Sequence, residues 1–257
     1  MRFGLGPLAV AAVAAWLLAG TPAAAQPKGY TAPRTRDGQP DLQGIWQARN
    51  TAAVSLEDHG PAAGMRAGRT VVVDPPDGKI PYKPEALAKR DENFKNRAAA
   101  DPVNKCFLPG APRVMYMPYP FQIFQTPKYI AIASEFAHTS RTIYMNDKAH
   151  YADAEFWMGD SRGHWEGETL VVDVGNFNAD TWLDMSGNFH SEALRLVERF
   201  TRTAPDTMEY QATFTDPKVF TRPWTLRMPL YLDRDPDAQL FEYECHAYLE
   251  EPRQGAK

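Results

Sequence analysis

Residues 194–232 read LRLVERFTRTAPDTMEYQATFTDPKVFTRPWTLRMPLYL, and apolar and polar side chains alternate through three parts of this stretch. These parts are Leu194–Thr201, Thr207–Thr215 and Trp224–Leu232. Strict alternation is typical of a β-strand with one buried face. Ala204-Pro205-Asp206 has the composition of a turn. The stretch therefore predicts consecutive antiparallel hairpins that share one apolar face.

Similar patterns extend outward from this stretch, with one helix among them. Pro84–Ala99 is rich in Ala, Leu, Lys and Glu and has a proline near its first turn, which predicts a helix. Further strands are predicted at Thr70–Val73, Phe121–Gln125, Tyr129–Phe136, Arg141–Met145, Thr169–Val174 and Phe241–Leu249. A sheet closed on itself buries a shared apolar face and removes its own edges. We expect a mostly β protein, an up-and-down antiparallel β-barrel with one or two short helices; a β-sandwich is the alternative.

The beginning of the chain has the features of a secretion signal. Arg2 precedes the apolar run Leu8–Leu18, and Ala23-Ala24-Ala25 supplies the small residues of a cleavage site. We predict a signal peptide over residues 1–25, a flexible leader over 26–41, and one barrel domain over 42–257 with an irregular insertion at about 51–120. The protein would then be periplasmic or secreted. No membrane span is predicted after cleavage.

Charge and cysteine content narrow the partners and the compartment. The net charge is −4 and Lys and Arg are not clustered, which argues against nucleic acid as the main partner. Cys106 and Cys245 are the two cysteines. In an oxidising compartment we expect them to pair; two buried thiols are the alternative.

Two resemblances add to this interpretation. Gly44-Ile45-Trp46 at a first strand, followed by a meander of strands, resembles the lipocalin-like (calycin) superfamily and implies a lipocalin-like barrel behind an irregular N-terminal extension. The chain also resembles a large family of uncharacterised secreted bacterial proteins, which implies fold and export but no activity. The matching stretches are Pro40–Trp46, Pro118–Pro127, Gly159–Gly163 with Trp165–Gly167, Thr181–Asp184, and His190–Phe200.

Glu198 is the first candidate for catalysis. Alternation places it on the apolar face with Leu194, Leu196 and Phe200. Burial would raise the pKa of the carboxyl group, which suits a general acid or base. A structural ion pair is the alternative, with Arg141, Arg222 or Arg227 as the partner.

Four further residues complete the catalytic hypothesis. His190 precedes the Glu198 strand and could transfer protons, with Asp184 orienting its ring. His138, at a turn, or Tyr144, on the next strand, could stabilise developing charge. Each could equally be a surface, turn or packing residue.

Aromatic side chains are the candidates for binding an apolar ligand in a barrel. We expect Asn188 and several large rings to line a pocket: Trp182, Trp46, Trp165, Trp157, Phe177 and Tyr116. Gly159–Gly163 matches the Gly-x-Ser-x-Gly pattern of serine hydrolases, but no helix is predicted after it, so we interpret it as a glycine-rich hairpin. Metal-binding spacings and phosphate loops are absent, and no cofactor is predicted, although His138, His190 and Glu198 could converge on a metal.

These features support three functions. The first is a cofactor-independent lyase, isomerase or hydratase that acts on an aromatic or terpenoid-like substrate through acid–base chemistry in the barrel. The second is a periplasmic carrier that binds an apolar ligand without turnover. The third is a structural envelope protein whose polar residues are all scaffold.

Overall fold

The computed structural model describes residues 30–61, 66–145 and 148–245. The predicted signal peptide, residues 26–29 of the predicted leader and residues 246–249 of the last predicted strand lie outside these ranges. Within residues 30–41, Arg34 and Pro40 form an isolated antiparallel bridge. The N–H of Leu42, just before the barrel, donates to the side chain of Gln125.

Ten strands and one helix make up the regular structure of the described residues. The strands are β1 Gly44–Ala48, β2 Val72–Asp74, β3 Phe121–Gln125, β4 Tyr129–Ser134, β5 Ser140–Tyr144, β6 Asp160–Glu166, β7 Thr169–Gly175, β8 Arg195–Ala204, β9 Thr207–Thr215 and β10 Trp224–Leu232. The helix is α1 Pro84–Ala100, and single 3-10 turns follow at Pro102–Lys105 and Arg113–Met115. The predicted mostly β fold with a short helix is confirmed.

Nine of these strands close into a barrel in the order β1, then β3 to β10, and back to β1. The closure depends on the length of β10: its last residues pair with β1, and its first residues pair with β2 outside the ring. The predicted lipocalin-like β-barrel is therefore confirmed.

One seam departs from an up-and-down meander. β5 and β6 run parallel, and only Ile143–Ser161 and Tyr144–Arg162 are paired across them. Every other seam of the barrel is antiparallel. A parallel pair cannot be joined by a tight hairpin, so the chain between residues 144 and 160 must return along the barrel. The first residues of β5, Ser140–Thr142, extend beyond the pairing with β6.

Two predicted elements have different outcomes. Gly159–Gly163 leads into a hairpin, as predicted: residues from Asp160 onward form β6, and the turn to β7 lies at Gly167. Gly163 is needed inside that strand, since a Cβ there would lie 2.7 Å from the side chain of Ile143. The described part of Phe241–Leu249 forms no strand, because β1 and β2 already occupy the edge of β10.

A disulfide fixes this C-terminal segment instead. Cys106 and Cys245 are bonded, which confirms the predicted pairing. Tyr243 makes a single bridge to Phe136, and the N–H of Phe241 donates to Glu135. We call residues 241–245 the C-terminal strap.

Aliphatic and aromatic side chains together fill the barrel interior, and most of the largest fully buried ones are aromatic. Five of the large rings are at most 1 % exposed: Trp46, Phe121, Phe200, Phe214 and Trp224. The rings of Phe214 and Trp224 stack with their centroids 3.9 Å apart. The irregular insertion adds buried residues to the same core, among them Leu56, Val114 and Met115. In the described part of the chain, no helix has the length and apolar character needed to cross a membrane.

Candidate functional site

Glu198 lies at the centre of a buried polar cluster inside the barrel. Arg141 donates from Nη1 to Glu198 Oε1 at 3.0 Å and from Nη2 to Glu198 Oε2, and Tyr210 donates to Oε1 at 2.6 Å. Arg141 Nε donates to Ser161 Oγ at 3.0 Å. These four residues, which stand on β5, β6, β8 and β9, are called the inner polar cluster. Each is at most 3 % exposed.

Arg141 and Glu198 of this cluster form the buried ion pair that was the alternative to a catalytic role. Glu198 is buried on the face of Leu196 and Phe200, as the alternation predicts, and its partner is one of the three arginines considered. Burial raises the pKa of Tyr210 well above its ordinary value, and the Glu198 carboxylate raises it further, so the hydroxyl acts as a donor. The carboxylate thus accepts three hydrogen bonds and is closed to solvent.

Asp184 organises a second buried group. Its carboxylate accepts from the backbone N–H groups of Leu56, Ser186 and Asn188 and from the Asn188 side-chain amide. Burial raises the pKa of Asp184 to about 6, against the opposing effect of these hydrogen bonds. Tyr82 donates to Asn188 Oδ1 at 3.0 Å. Asp184 and Asn188 therefore fix the segment that carries them, between β7 and β8, to the insertion.

His190 is buried and has a partner at each ring nitrogen. Nδ1 faces the Ser191 carbonyl at 2.9 Å, and Nε2 faces the Thr181 hydroxyl at 2.7 Å. Burial lowers the pKa of His190. The partners fit a neutral ring that donates from Nδ1 and accepts at Nε2. Asp184, predicted to orient this ring, hydrogen-bonds to other groups.

The remaining predicted residues are scattered over the barrel. His138 is exposed and pairs with Glu244, which raises its pKa. Trp46 is buried and donates to the Leu42 carbonyl, and Tyr116 is buried and donates to the Leu183 carbonyl. Three others pack locally: Trp165 against the core, Trp182 in a bridge with Phe189, and Phe177 edge-on to His190.

A pocket opens where β5 extends beyond β6, and we call it the seam pocket. Its volume is 660 Å³. Tyr144 of the predicted catalytic residues and Trp157 of the predicted ligand-binding rings line it. Its other lining residues are Leu108, Ser140, Arg141, Thr142, Tyr151, Ala154, Glu155, Phe156, Met158, Gly159, Asp160 and Ser161. Arg141 and Ser161 connect the pocket to the inner polar cluster.

The rings of Tyr144, Tyr151, Phe156 and Trp157 form an aromatic wall of the seam pocket, and residues outside the pocket support this wall. The Trp157 ring stacks on the Phe107 ring, with the two centroids 5.0 Å apart. Phe107 follows Cys106, which is bonded to Cys245 of the C-terminal strap. Asn176 holds the segment that carries Tyr151 and Phe156 by donating to the carbonyls of Tyr151 and Ala154. Ring packing and backbone hydrogen bonds therefore hold the wall in place.

Sequence reasoning missed a second polar group beside this pocket. Asp160 accepts from Arg162 Nε at 2.9 Å and from His150 Nδ1 at 2.8 Å, while His150 Nε2 lies 3.2 Å from Asp173. The Gly-x-Ser-x-Gly stretch contained Asp160 and Ser161. Only the parallel pairing of β5 and β6 brings them to the pocket that Arg141 also lines.

A second pocket, of 540 Å³, lies under the C-terminal strap. Arg113, Tyr119 and Phe136 line it together with Tyr243 and Cys245. Arg113 is held there by a two-fold hydrogen bond to Asp101. None of the residues predicted to be catalytic or ligand-binding lines this pocket.

Comparison of the chain with protein-family models, curated proteins and solved structures gives no match. Among the residues that the structure describes, no three His, Cys, Asp or Glu side chains are grouped to hold a metal ion.

Proposed function

We propose that the protein binds a small, apolar, ring-bearing molecule in the seam pocket and carries it without turnover. The observation that carries the proposal is the aromatic wall formed by Tyr144, Tyr151, Phe156 and Trp157, next to the part of β5 that extends beyond its pairing with β6. Ligand sites are typically concave, largely apolar and about 300–1,000 Å³ in volume, with a few polar groups that orient the ligand. The seam pocket has each of these properties.

The positions of the titratable residues favour a carrier over the predicted enzyme. Glu198 is closed off by Arg141 and Tyr210, and His190 is buried with both nitrogens engaged. Asp184 belongs to a separate hydrogen-bonded group. A general acid or base has to reach the proton that it transfers, and none of these three residues lines the seam pocket.

The Cys106–Cys245 disulfide supports a protein that works outside the cytoplasm, since disulfides persist in oxidising compartments. It also links the strap to the segment that braces Trp157. A periplasmic or secreted carrier is consistent with both features.

A matched pair of tyrosines tests the proposal. Tyr129 and Tyr144 face each other across β4 and β5 and are similarly exposed, but only Tyr144 lines the pocket. The probe is N-phenyl-1-naphthylamine, a neutral molecule that fluoresces in apolar surroundings. We expect Tyr144→Ala to weaken binding about tenfold through the lost ring contact, and Tyr129→Ala to leave it unchanged.

Equal binding by wild type and both variants would refute the seam pocket. A Tyr119→Ala variant locates the alternative, because Tyr119 lines the pocket under the strap. Loss of binding in that variant alone would assign the ligand to the second pocket. No binding of the probe by the wild type would favour the structural envelope protein.

An acid–base enzyme remains the second candidate, and the His150–Asp160 contact favours it. A carboxylate that orients an imidazole is a common arrangement for proton transfer, and Asp160 lines the seam pocket. Incubating the protein with an extract of aromatic and terpenoid compounds, followed by mass spectrometry, tests this candidate. Conversion that is lost in Asp160→Asn would support it, whereas retention of an unchanged compound supports the carrier.

A further inference from the structure

Arg141, Ser161 and Thr142 line the seam pocket and carry hydrogen-bond donors that have no acceptor among the described residues. We infer that the ligand carries a neutral carbonyl oxygen, as in a ketone, ester or amide, whose two lone pairs accept hydrogen bonds from the donors that Arg141, Ser161 and the Thr142 backbone offer. This inference rests on the proposed binding function and adds the chemical class of the ligand.

The first donors belong to the inner polar cluster. A guanidinium has five N–H groups, and Arg141 uses three of them, two toward Glu198 and one toward Ser161. Ser161 Oγ accepts that third bond, so its own hydroxyl proton has no acceptor among the described residues. Ser161 is 1 % exposed and Arg141 3 %. Buried donors without acceptors are costly, and a ligand oxygen would satisfy them.

The second donor comes from the open edge of β5. Residues of an antiparallel strand point their backbone groups to alternate sides. Bonds from Ser134 to Thr139 and from Met145 to Lys128 fix this alternation, so Arg141 and Ile143 bond to β4. The Thr142 N–H therefore points away from β4 to the seam, where pairing with β6 begins only at Ile143. Thr142 lines the pocket.

The charges around these donors favour a neutral oxygen over a carboxylate. Glu198 balances Arg141, and Arg162 balances Asp160. Glu155, at the exposed rim, has no ion-pair partner among the described residues. A carboxylate ligand would meet donors without net positive charge and a negative rim, and it would lose the hydration that stabilises its charge.

Three naphthalene derivatives of similar size separate these possibilities. They are 2-acetylnaphthalene, with a neutral carbonyl, 2-ethylnaphthalene, with no acceptor, and 2-naphthoate, with a negative charge. Displacement of N-phenyl-1-naphthylamine from the wild-type protein gives their relative affinities. We expect the ketone to bind about tenfold more tightly than the hydrocarbon, as one or two added hydrogen bonds provide, and the naphthoate to bind most weakly.

The variant Ser161→Ala tests the donor directly. It should reduce the preference for ketone over hydrocarbon about three- to tenfold, while Ser186→Ala, outside the pocket, leaves it unchanged. Thermal unfolding checks that both variants are folded, and the ligand series on the wild type stands independently of them.

The outcomes distinguish the two proposals. Equal binding of ketone and hydrocarbon would overturn the carbonyl inference and leave binding in the seam pocket intact. Tightest binding of the naphthoate would overturn the charge argument. Failure of all three compounds and of the fluorescent probe would overturn the binding function itself.

Discussion

Replacing Glu198 by Gln separates a structural role from a catalytic one. The carboxylate accepts two hydrogen bonds from Arg141 and one from Tyr210, in a place that solvent does not reach. Glutamine keeps the shape but presents an N–H group to one of the Arg141 donors and leaves the guanidinium charge unbalanced. Breaking a buried ion pair by removing one partner costs about 3–5 kcal/mol, a large share of the total stability of about 5–15 kcal/mol.

We expect Glu198→Gln to lower the free energy of unfolding by about 3–5 kcal/mol and the melting temperature by about 6–20 °C for a domain of this size. Urea unfolding monitored by tryptophan fluorescence measures the first quantity. Glu166→Gln is the control: Glu166 pairs with Arg199 at the surface, where such a pair contributes about 0–1 kcal/mol. A Glu198→Gln variant within 1 kcal/mol of wild type would refute this reasoning.

Three further predictions concern Asp184, Gly163 and the disulfide. Burial raises the pKa of Asp184 from 3.8 to about 6, so the folded state binds this proton more tightly than the unfolded state does. The resulting stabilisation of about 3 kcal/mol is complete below pH 3.8 and is lost as the pH rises to about 6. Asp184→Asn should remove this pH dependence, and the same pH dependence of the unfolding free energy in wild type and variant between about pH 4 and 6 would contradict the prediction. Gly163→Ala should destabilise by about 1–3 kcal/mol in urea unfolding, because the new Cβ meets buried Ile143, and no loss would mean that the seam has room. Replacing Cys106 and Cys245 together by Ala should lower the free energy of unfolding by about 2–5 kcal/mol, and a neutral result would show that the strap is not coupled to barrel stability.

The strands of the barrel could be predicted because their two faces meet different surroundings. Thr207–Thr215 and Trp224–Leu232 have the predicted bounds, since every second residue enters the core. The alternation at Phe241–Leu249 is similar, yet the described residues of that stretch lie outside the sheet. Alternation marks a chain that could join a sheet, but it does not reveal that the edge of β10 is already occupied by β1 and β2.

The candidate site was less predictable, because it depends on contacts between distant parts of the chain. Burial of Glu198 followed from its neighbours within one strand, and Arg141 was among its possible partners. Asp160 and Ser161 gave only a local motif, and the parallel seam that brings them to the same pocket as Arg141 has no signal in the alternation. His190 and Asp184 looked like a pair because they are close in sequence, but each hydrogen-bonds elsewhere.

A crystal structure of the protein with 2-acetylnaphthalene tests the central claim most directly. The account predicts density for the naphthalene rings between Tyr144, Trp157 and Met158, with the carbonyl oxygen toward Ser161. Density under the C-terminal strap instead, or an empty seam pocket at saturating ligand, would contradict it.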